Sequence, residues 1–194
     1  MAGIAVALRT AGQGVDDTIA MLHKAHAFEM STFHYFQYVA TNREGLGVLH
    51  QGFLEERAKE ELGQAKEVSE RLMQLGTNST DDPARWEQDS GVGRLEPSRY
   101  LSLRSAIEKA LEFERTAISL YNDLANATKD KDHGTYELAL GLLKDELADE
   151  QTMEDILARL EIQDTKYSCH NKRHPLSSLL FLSVSLHISR IDVL

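Results

Sequence analysis

The chain has little that interrupts a helix. There are 3 prolines and 12 glycines in 194 residues. Alternating Val/Ile/Thr runs bounded by Gly and Pro are missing too, which excludes sheet as the main architecture and leaves helices. Cys169 is the sole cysteine, so no intrachain disulfide framework exists, and a reducing, cytoplasmic setting is expected. Positive charge is in deficit: 21 Lys and Arg face 31 Asp and Glu, for a net charge of −10. Such a surface repels nucleic acid and anionic membranes and attracts cations, although plain solubility accounts for the same excess. The longest apolar stretch, Leu176–Leu186, is broken by serines and too short to span a bilayer. Met1 to Val15 lacks the charged start and long apolar run of a signal peptide. No GxGxxG, GxxxxGK[ST], CxxC or HExxH pattern occurs. Weak or no nucleic acid binding and no membrane association are therefore expected.

What is present is helical periodicity. Asp16-Asp17 can cap a helix from about Thr18 to Asn42, their charge suiting the positive end of its dipole. Arg43–Gly47 reads as a turn. A second helix is expected from about Val48 to Leu75, stopped by Gly76. Leu54, Ala58, Leu62, Ala65, Val68, Leu72 and Leu75 form its apolar stripe. Residues 77–101 break the pattern, with Asp82-Pro83 able to start one short helical turn and Gly91, Gly93 and Pro97 keeping the rest irregular. A third helix runs from about Leu103 to Thr128, then a turn at Lys129–Gly134, then a fourth from about Thr135 to Leu160. Short turns force antiparallel neighbours, and the long connection can cross the bundle. The expected fold is all-α: a four-helix bundle of two antiparallel hairpins joined by a long crossover connection. The domain reading is an N-terminal arm at 1–15, the bundle at 16–162, and a tail at 163–194, either a short fifth helix or an extended arm.

Carboxylates repeat within the two hairpins. Glu29 and Glu61 have the same separation as Glu114 and Glu146, and Glu29 to Gln64 matches Glu114 to Asp149. The midpoint of the first pair is Gly45 and of the second Asp130, each inside a turn. Residues equidistant from a hairpin turn lie at the same height, so Glu29 should face Glu61, and Glu114 should face Glu146. Gln64 and Asp149 follow at i+3 on the same faces. The flanks of Glu29 (Ala27, Phe28, Phe33, Phe36) and of Glu114 (Ala110, Leu111, Phe113, Ala117, Ile118) read as core. Ionised carboxylates there are costly unless paired or bound to metal, and several together need cations between them. Hard oxygen donors suit iron and manganese. The plainer alternative is that Glu61 and Glu146 are solvated helix-face charges.

Four stretches in order carry a resemblance: Lys24–Tyr38 (KAHAFEMSTFHYFQY), Glu60–Gly76 (EELGQAKEVSERLMQLG), Ala110–Tyr121 (ALEFERTAISLY) and Thr135–Leu157 (TYELALGLLKDELADEQTMEDIL). From Val15 to Glu161 the chain resembles the ferritin-like superfamily, and within it the Dps-like (thioferritin) proteins of archaea and bacteria. The resemblance implies a dinuclear iron centre that oxidises Fe(II) with dioxygen or peroxide and stores the product in a hollow shell. Glu29 and Glu114 would be terminal ligands, Glu61 and Glu146 bridging ones, and these four the catalytic carboxylates. The family's two ligand histidines fall on Gln64 and Asp149, which would be weak outer ligands. Lower affinity and a shift toward Mn(II) or Mg(II) follow from that departure. A metal-poor structural cage subunit without ferroxidase activity is the alternative it opens. The thiol pair of many Dps-like members is missing, Thr116 standing at one of its positions, and Leu62 replaces the Met that follows the second-helix Glu in haem-binding relatives.

Other residues carry two readings each. His26, one turn before Glu29, is a hydrogen-bonded bundle histidine or a substitute ligand. Tyr121, two turns after Glu114, fills the core, or hydrogen-bonds a ligand carboxylate or relays an electron. Glu60, Glu67 and Glu150 flank the site as an access path for cations or as a solvated face. Met21, Met30, Met73 and Met153 read as core gap-fillers. Phe33, Tyr35, Phe36 and Tyr38 wrap too much of one helix to face inward together. With the apolar tail they point to a homo-oligomer, a dodecameric shell by resemblance.

Overall fold

The computed structural model describes residues 2–12, 14–42, 51–91 and 102–173. They form six helices: α1 (Ala2–Ala11), α2 (Val15–Thr41), α3 (Gln51–Gln74), α4 (Pro83–Asp89), α5 (Leu103–Thr128) and α6 (His133–Arg173). No strand occurs among the described residues. The chain divides into two compact units, residues 1–157 and 158–194. The first holds the bundle: hairpin α2–α3, hairpin α5–α6, and the crossover carrying α4. The second is helical over its described part, 158–173.

Local signals explain most element boundaries. Gly76 stops α3 at φ +86°, a conformation costly for any residue with a Cβ. Its N–H reaches Met73 O and the Thr77 N–H reaches Leu72 O, both at 3.1 Å, which satisfies the last carbonyls. Asp82 caps α4 by accepting from the Ala84 N–H at 3.0 Å, with Pro83 in the first turn. Ser102 caps α5 by accepting from the Ser105 N–H at 3.1 Å. Asp130, at φ +59°, carries the tight turn between α5 and α6.

Several sequence expectations are corrected. Asp16 and Asp17 lie inside the first turn of α2, and Gly14 is the cap residue, at φ +90°. α1 occupies most of the N-terminal arm and packs against α3. α6 does not stop near Leu160 but continues to Arg173. No Gly or Pro stands between Glu161 and Arg173, so nothing ends it there, and Pro175 is the first breaker. Leu62 and Met73 are exposed, not core. The Arg43–Gly47 turn, Gly93, Pro97 and the tail from His174 lie outside the described residues.

The core runs along the bundle axis through Leu22, Phe28, Phe36, Leu54, Leu72, Ile107 and Leu124. Burying each such side chain contributes roughly 1.5–3 kcal/mol. Tyr35 stands edge-on to Phe113, ring centres 5.0 Å apart, and donates to Ala106 O at 3.3 Å. Phe33 and Tyr38 are only half-buried, as the crowding of four aromatics on α2 requires. No helix among the described residues is long and apolar enough to cross a membrane.

Candidate metal centre

Charge lies where the pattern of apolar residues would put leucines. Each long helix delivers a carboxylate to the middle of the core: Glu29 from α2, Glu61 from α3, Glu114 from α5 and Glu146 from α6, none more than 2 % exposed. Gln64 is buried beside them, and Asp149 is half-buried. Oxygens of Glu114, Glu146 and Asp149 lie within 4.8 Å of one another. The Glu29 and Glu61 carboxyls meet across the first hairpin, and those of Glu114 and Glu146 meet across the second. The equal-height argument from the turns therefore describes the packing.

The carboxylates have few protein partners. Tyr121 Oη donates to Glu29 Oε1, and Thr32 Oγ1 donates to Glu61 Oε2 at 2.7 Å. Four buried oxygens have no hydrogen-bond partner: Glu29 Oε2, Glu61 Oε1, Gln64 Oε1 and Glu146 Oε1. Such atoms are rare in native interiors and call for a completing partner, an ordered water or a bound ion. Electrostatics point the same way. Burial, then the neighbouring Glu61, pushes Glu29 well above the usual carboxylate range. Burial and the facing Glu114 do the same to Glu146. Burial raises Glu61, and it lifts Glu114 to about 7. Burial, followed by the charge of Glu29, raises Tyr121 well above its ordinary value, which keeps it a donor. Carboxylates this close cannot all ionise without cations between them. An all-oxygen set with unpartnered lone pairs fits a hard divalent cation.

A residue that sequence reasoning missed sits at the edge of this cluster. Arg57 is 4 % exposed. Its Nη1 pairs with Asp149 Oδ1, while Nη2 is 2.9 Å from Glu60 Oε2 and 3.7 Å from Glu61 Oε1. Its Nε has no partner. Arg57 also lines a cavity of about 450 Å³ with Glu60, Gln64, Glu67, Asp145 and Asp149. The cavity thus runs from Gln64 and Asp149, at the edge of the cluster, to an acidic outer wall. Glu60 and Glu67 belong to that wall, whereas Glu150 is held elsewhere by Arg115 at 2.8 Å.

A family profile for the ferritin-like domain matches residues 19–162. The chain belongs to the ferritin-like family. Within it, the chain is 26% identical over 147 residues to the DNA protection during starvation protein of Pyrococcus furiosus, covering 75% of this chain and 80% of that one. The bacterioferritin-related protein of Bacteroides fragilis, a dodecameric thioferritin, superposes with a TM-score of 0.76 at 26% identity, over 83% of this chain and 95% of that one. Dps from Thermosynechococcus elongatus shares the fold at 19% identity, TM-score 0.67, over 73% and 90% of the two chains.

Of the six residues named from the repeat in this ferritin-like chain, Glu114, Glu146 and Asp149 gather their oxygens within 4.8 Å, Glu29 meets Glu61, and Gln64 is buried and shares the cavity wall with Asp149. His26 is buried, its Nδ1 without a partner, and lies outside the converging carboxylates of α5 and α6. Burial and the nearby His23 lower its pKa. Tyr121 fills the core and also bonds Glu29. Of the methionines, Met153 is buried, Met21 and Met30 are half-buried, and Met73 points outward. Arg57 was legible: it stands four residues before Glu61, on the same helical face.

Proposed function

We propose that the centre binds Fe(II) and oxidises it with peroxide or dioxygen, in an iron-storing or peroxide-protecting role of the Dps-like or ferritin type. The observation that carries this is the set of three carboxylate oxygens and one amide oxygen without hydrogen-bond partners in a core that buries four glutamates. Glu29, Glu61 and Gln64 on the first hairpin, and Glu114, Glu146 and Asp149 on the second, would hold two ions, of Fe or alternatively Mn. Fe(II) is the substrate, and each ion gives up one electron. Peroxide, where it is the oxidant, takes two electrons and two protons and leaves as two waters. Tyr121 keeps Glu29 oriented, Thr32 does the same for Glu61, and the surrounding apolar core excludes bulk water. The acidic cavity at Glu60, Glu67 and Asp145 supplies a route that concentrates cations.

The dodecameric thioferritin and the Dps proteins with this fold support a homo-oligomeric shell. Exposed Leu62, Leu140 and Leu147 offer apolar contacts for one. A net charge of −10 per chain disfavours direct DNA binding, and a cytoplasmic setting suits the proposed chemistry. A cage subunit without catalysis is the second reading, favoured by the absence of histidine at positions 64 and 149 and by the ion pair that holds Asp149.

Stopped-flow absorbance after anaerobic Fe(II) loading and mixing with peroxide separates them. We expect oxidation above the buffer rate, and a faster phase in the Gln64→His, Asp149→His double variant. A trace no different from buffer in both proteins defeats the ferroxidase reading in favour of the structural one.

A further inference from the structure

The two halves of the centre are not equally free. On the α2–α3 side, Glu29 Oε2, Glu61 Oε1 and Gln64 Oε1 have no hydrogen-bond partner, and the nearby cation, Arg57 Nη2, stands off at 3.7 Å from Glu61 Oε1. On the α5–α6 side, Glu146 Oε1 is unpartnered, but Asp149 already carries a cation, the Arg57 guanidinium. Arg57 is buried, so this pair is not an exposed ion pair screened by solvent. It is also not a closed structural pair. Nε lacks an acceptor, and the side chain borders an acidic cavity.

From this geometry we propose that Arg57 is a built-in counter-cation that makes metal loading stepwise. This rests on the carboxylate centre being a metal site, and concerns how that site fills. The first divalent cation goes to the half with free oxygens. The second requires Asp149, and so requires Arg57 to leave it and swing toward Glu60 and the cavity. One term opposes only that second step: the direct Arg57–Asp149 pair must break. The guanidinium 3.7 Å from Glu61 Oε1 repels either cation and does not separate the two steps. Coupling free energies between such sites commonly amount to about 5- to 150-fold in affinity. Arg57 is thus a positioning residue that sets the difference between the two affinities and contacts neither oxidant nor product.

The test is a Mn(II) titration of the intact chain by calorimetry, with electron paramagnetic resonance following the ions. Mn(II) is redox-silent here, so the readout is independent of activity. In wild type, two binding steps are expected, the second weaker by on the order of tenfold or more. Arg57→Gln should tighten the second step by on the order of tenfold, bringing spin-coupled Mn pairs in at lower loading. Arg57→Lys keeps the charge and should keep the steps apart, and circular dichroism shows whether each variant remains helical. Two equal steps in wild type, or an unchanged second step in a folded Arg57→Gln, overturn the proposal while leaving a metal site in place. Absence of Mn(II) binding in all three proteins overturns the metal reading itself.

Discussion

Helix α3 buries two arginines, Arg57 and Arg71, four turns apart on one face. Arg71 is saturated. Its Nε donates to Thr135 Oγ1 at 2.8 Å, its Nη1 to Gln74 Oε1 at 2.8 Å and its Nη2 to Asp132 Oδ1 at 2.6 Å. Asp132 in turn accepts from the Thr135 N–H and hydroxyl. Each guanidinium nitrogen and both Asp132 oxygens have a partner, so the network clamps the start of α6 to the end of α3. Arg57 is the opposite case. It faces Asp149, Glu60 and Glu61, keeps an unpartnered Nε, and borders a cavity. Buried charge with complete pairing is structural, whereas buried charge with loose ends points to something that comes and goes.

Removing one partner from each pair breaks the comparison most sharply. Arg71→Ala leaves Asp132 buried without its counter-charge, and should cost about 3–5 kcal/mol in urea unfolding. Mn(II) should not restore that loss. Arg57→Ala should cost less in metal-free protein, about 1–2 kcal/mol, because Asp149 and Glu60 can reach solvent in the cavity. Mn(II) should restore it. If Mn(II) rescues Arg71→Ala equally, the division into a closed clamp and an open site is wrong.

The clamp also has a pH signature. Burial opposes ionisation of Asp132, yet the hydrogen bonds from Arg71 and Thr135 prevail and hold its pKa below the ordinary value. A carboxylate lowered in the folded state contributes stability above its unfolded pKa of about 3.9, and loses it as pH falls through the folded value. Asp132→Asn should therefore be less stable than wild type at pH 7, with the gap narrowing at about pH 3. Urea melts at both values measure it, and a gap that widens in acid would contradict the clamp.

The smallest effect sharpens the contrast from the other side. A Cβ on Gly134 would stand 3.0 Å from the guanidinium carbon and both terminal nitrogens of Arg71. Three hydrogen bonds prevent Arg71 from yielding. Gly134→Ala should cost about 1 kcal/mol in wild type, although alanine ordinarily favours a helix by about that much. In the Arg71→Ala background the same change should stabilise. A double-mutant cycle reads the reversal of sign, and additivity would show that Arg71 has room to move.

Periodicity and turn chemistry made much of the bundle legible. The scarcity of Pro and Gly, the Asp82-Pro83 start and the Gly76 stop place elements within a few residues of where they lie, because such signals act through a residue's own backbone and near neighbours. The equal spacing of Glu29–Glu61 and Glu114–Glu146 also placed carboxylates opposite one another, since antiparallel hairpins turn separation into height. The same reasoning misjudged Leu62 and Met73, which are exposed while Arg57, Glu61, Gln64 and Arg71 are buried. A hydrophobicity pattern assigns leucine inward and arginine outward, and cannot see that a partner on another helix makes the reverse arrangement stable.

Composition and spacing alone determined that this chain is helical, that its helices pair as two hairpins, and that acidic side chains repeat at matching heights. Those properties depend on order along one chain. Only tertiary structure decided that Arg57 reaches across to Asp149, that Tyr121 meets Glu29, and that Arg71 closes on Asp132 and Thr135. Each joins residues far apart in sequence, and the stability of a buried charge depends on the atoms around it rather than on its neighbours along the chain.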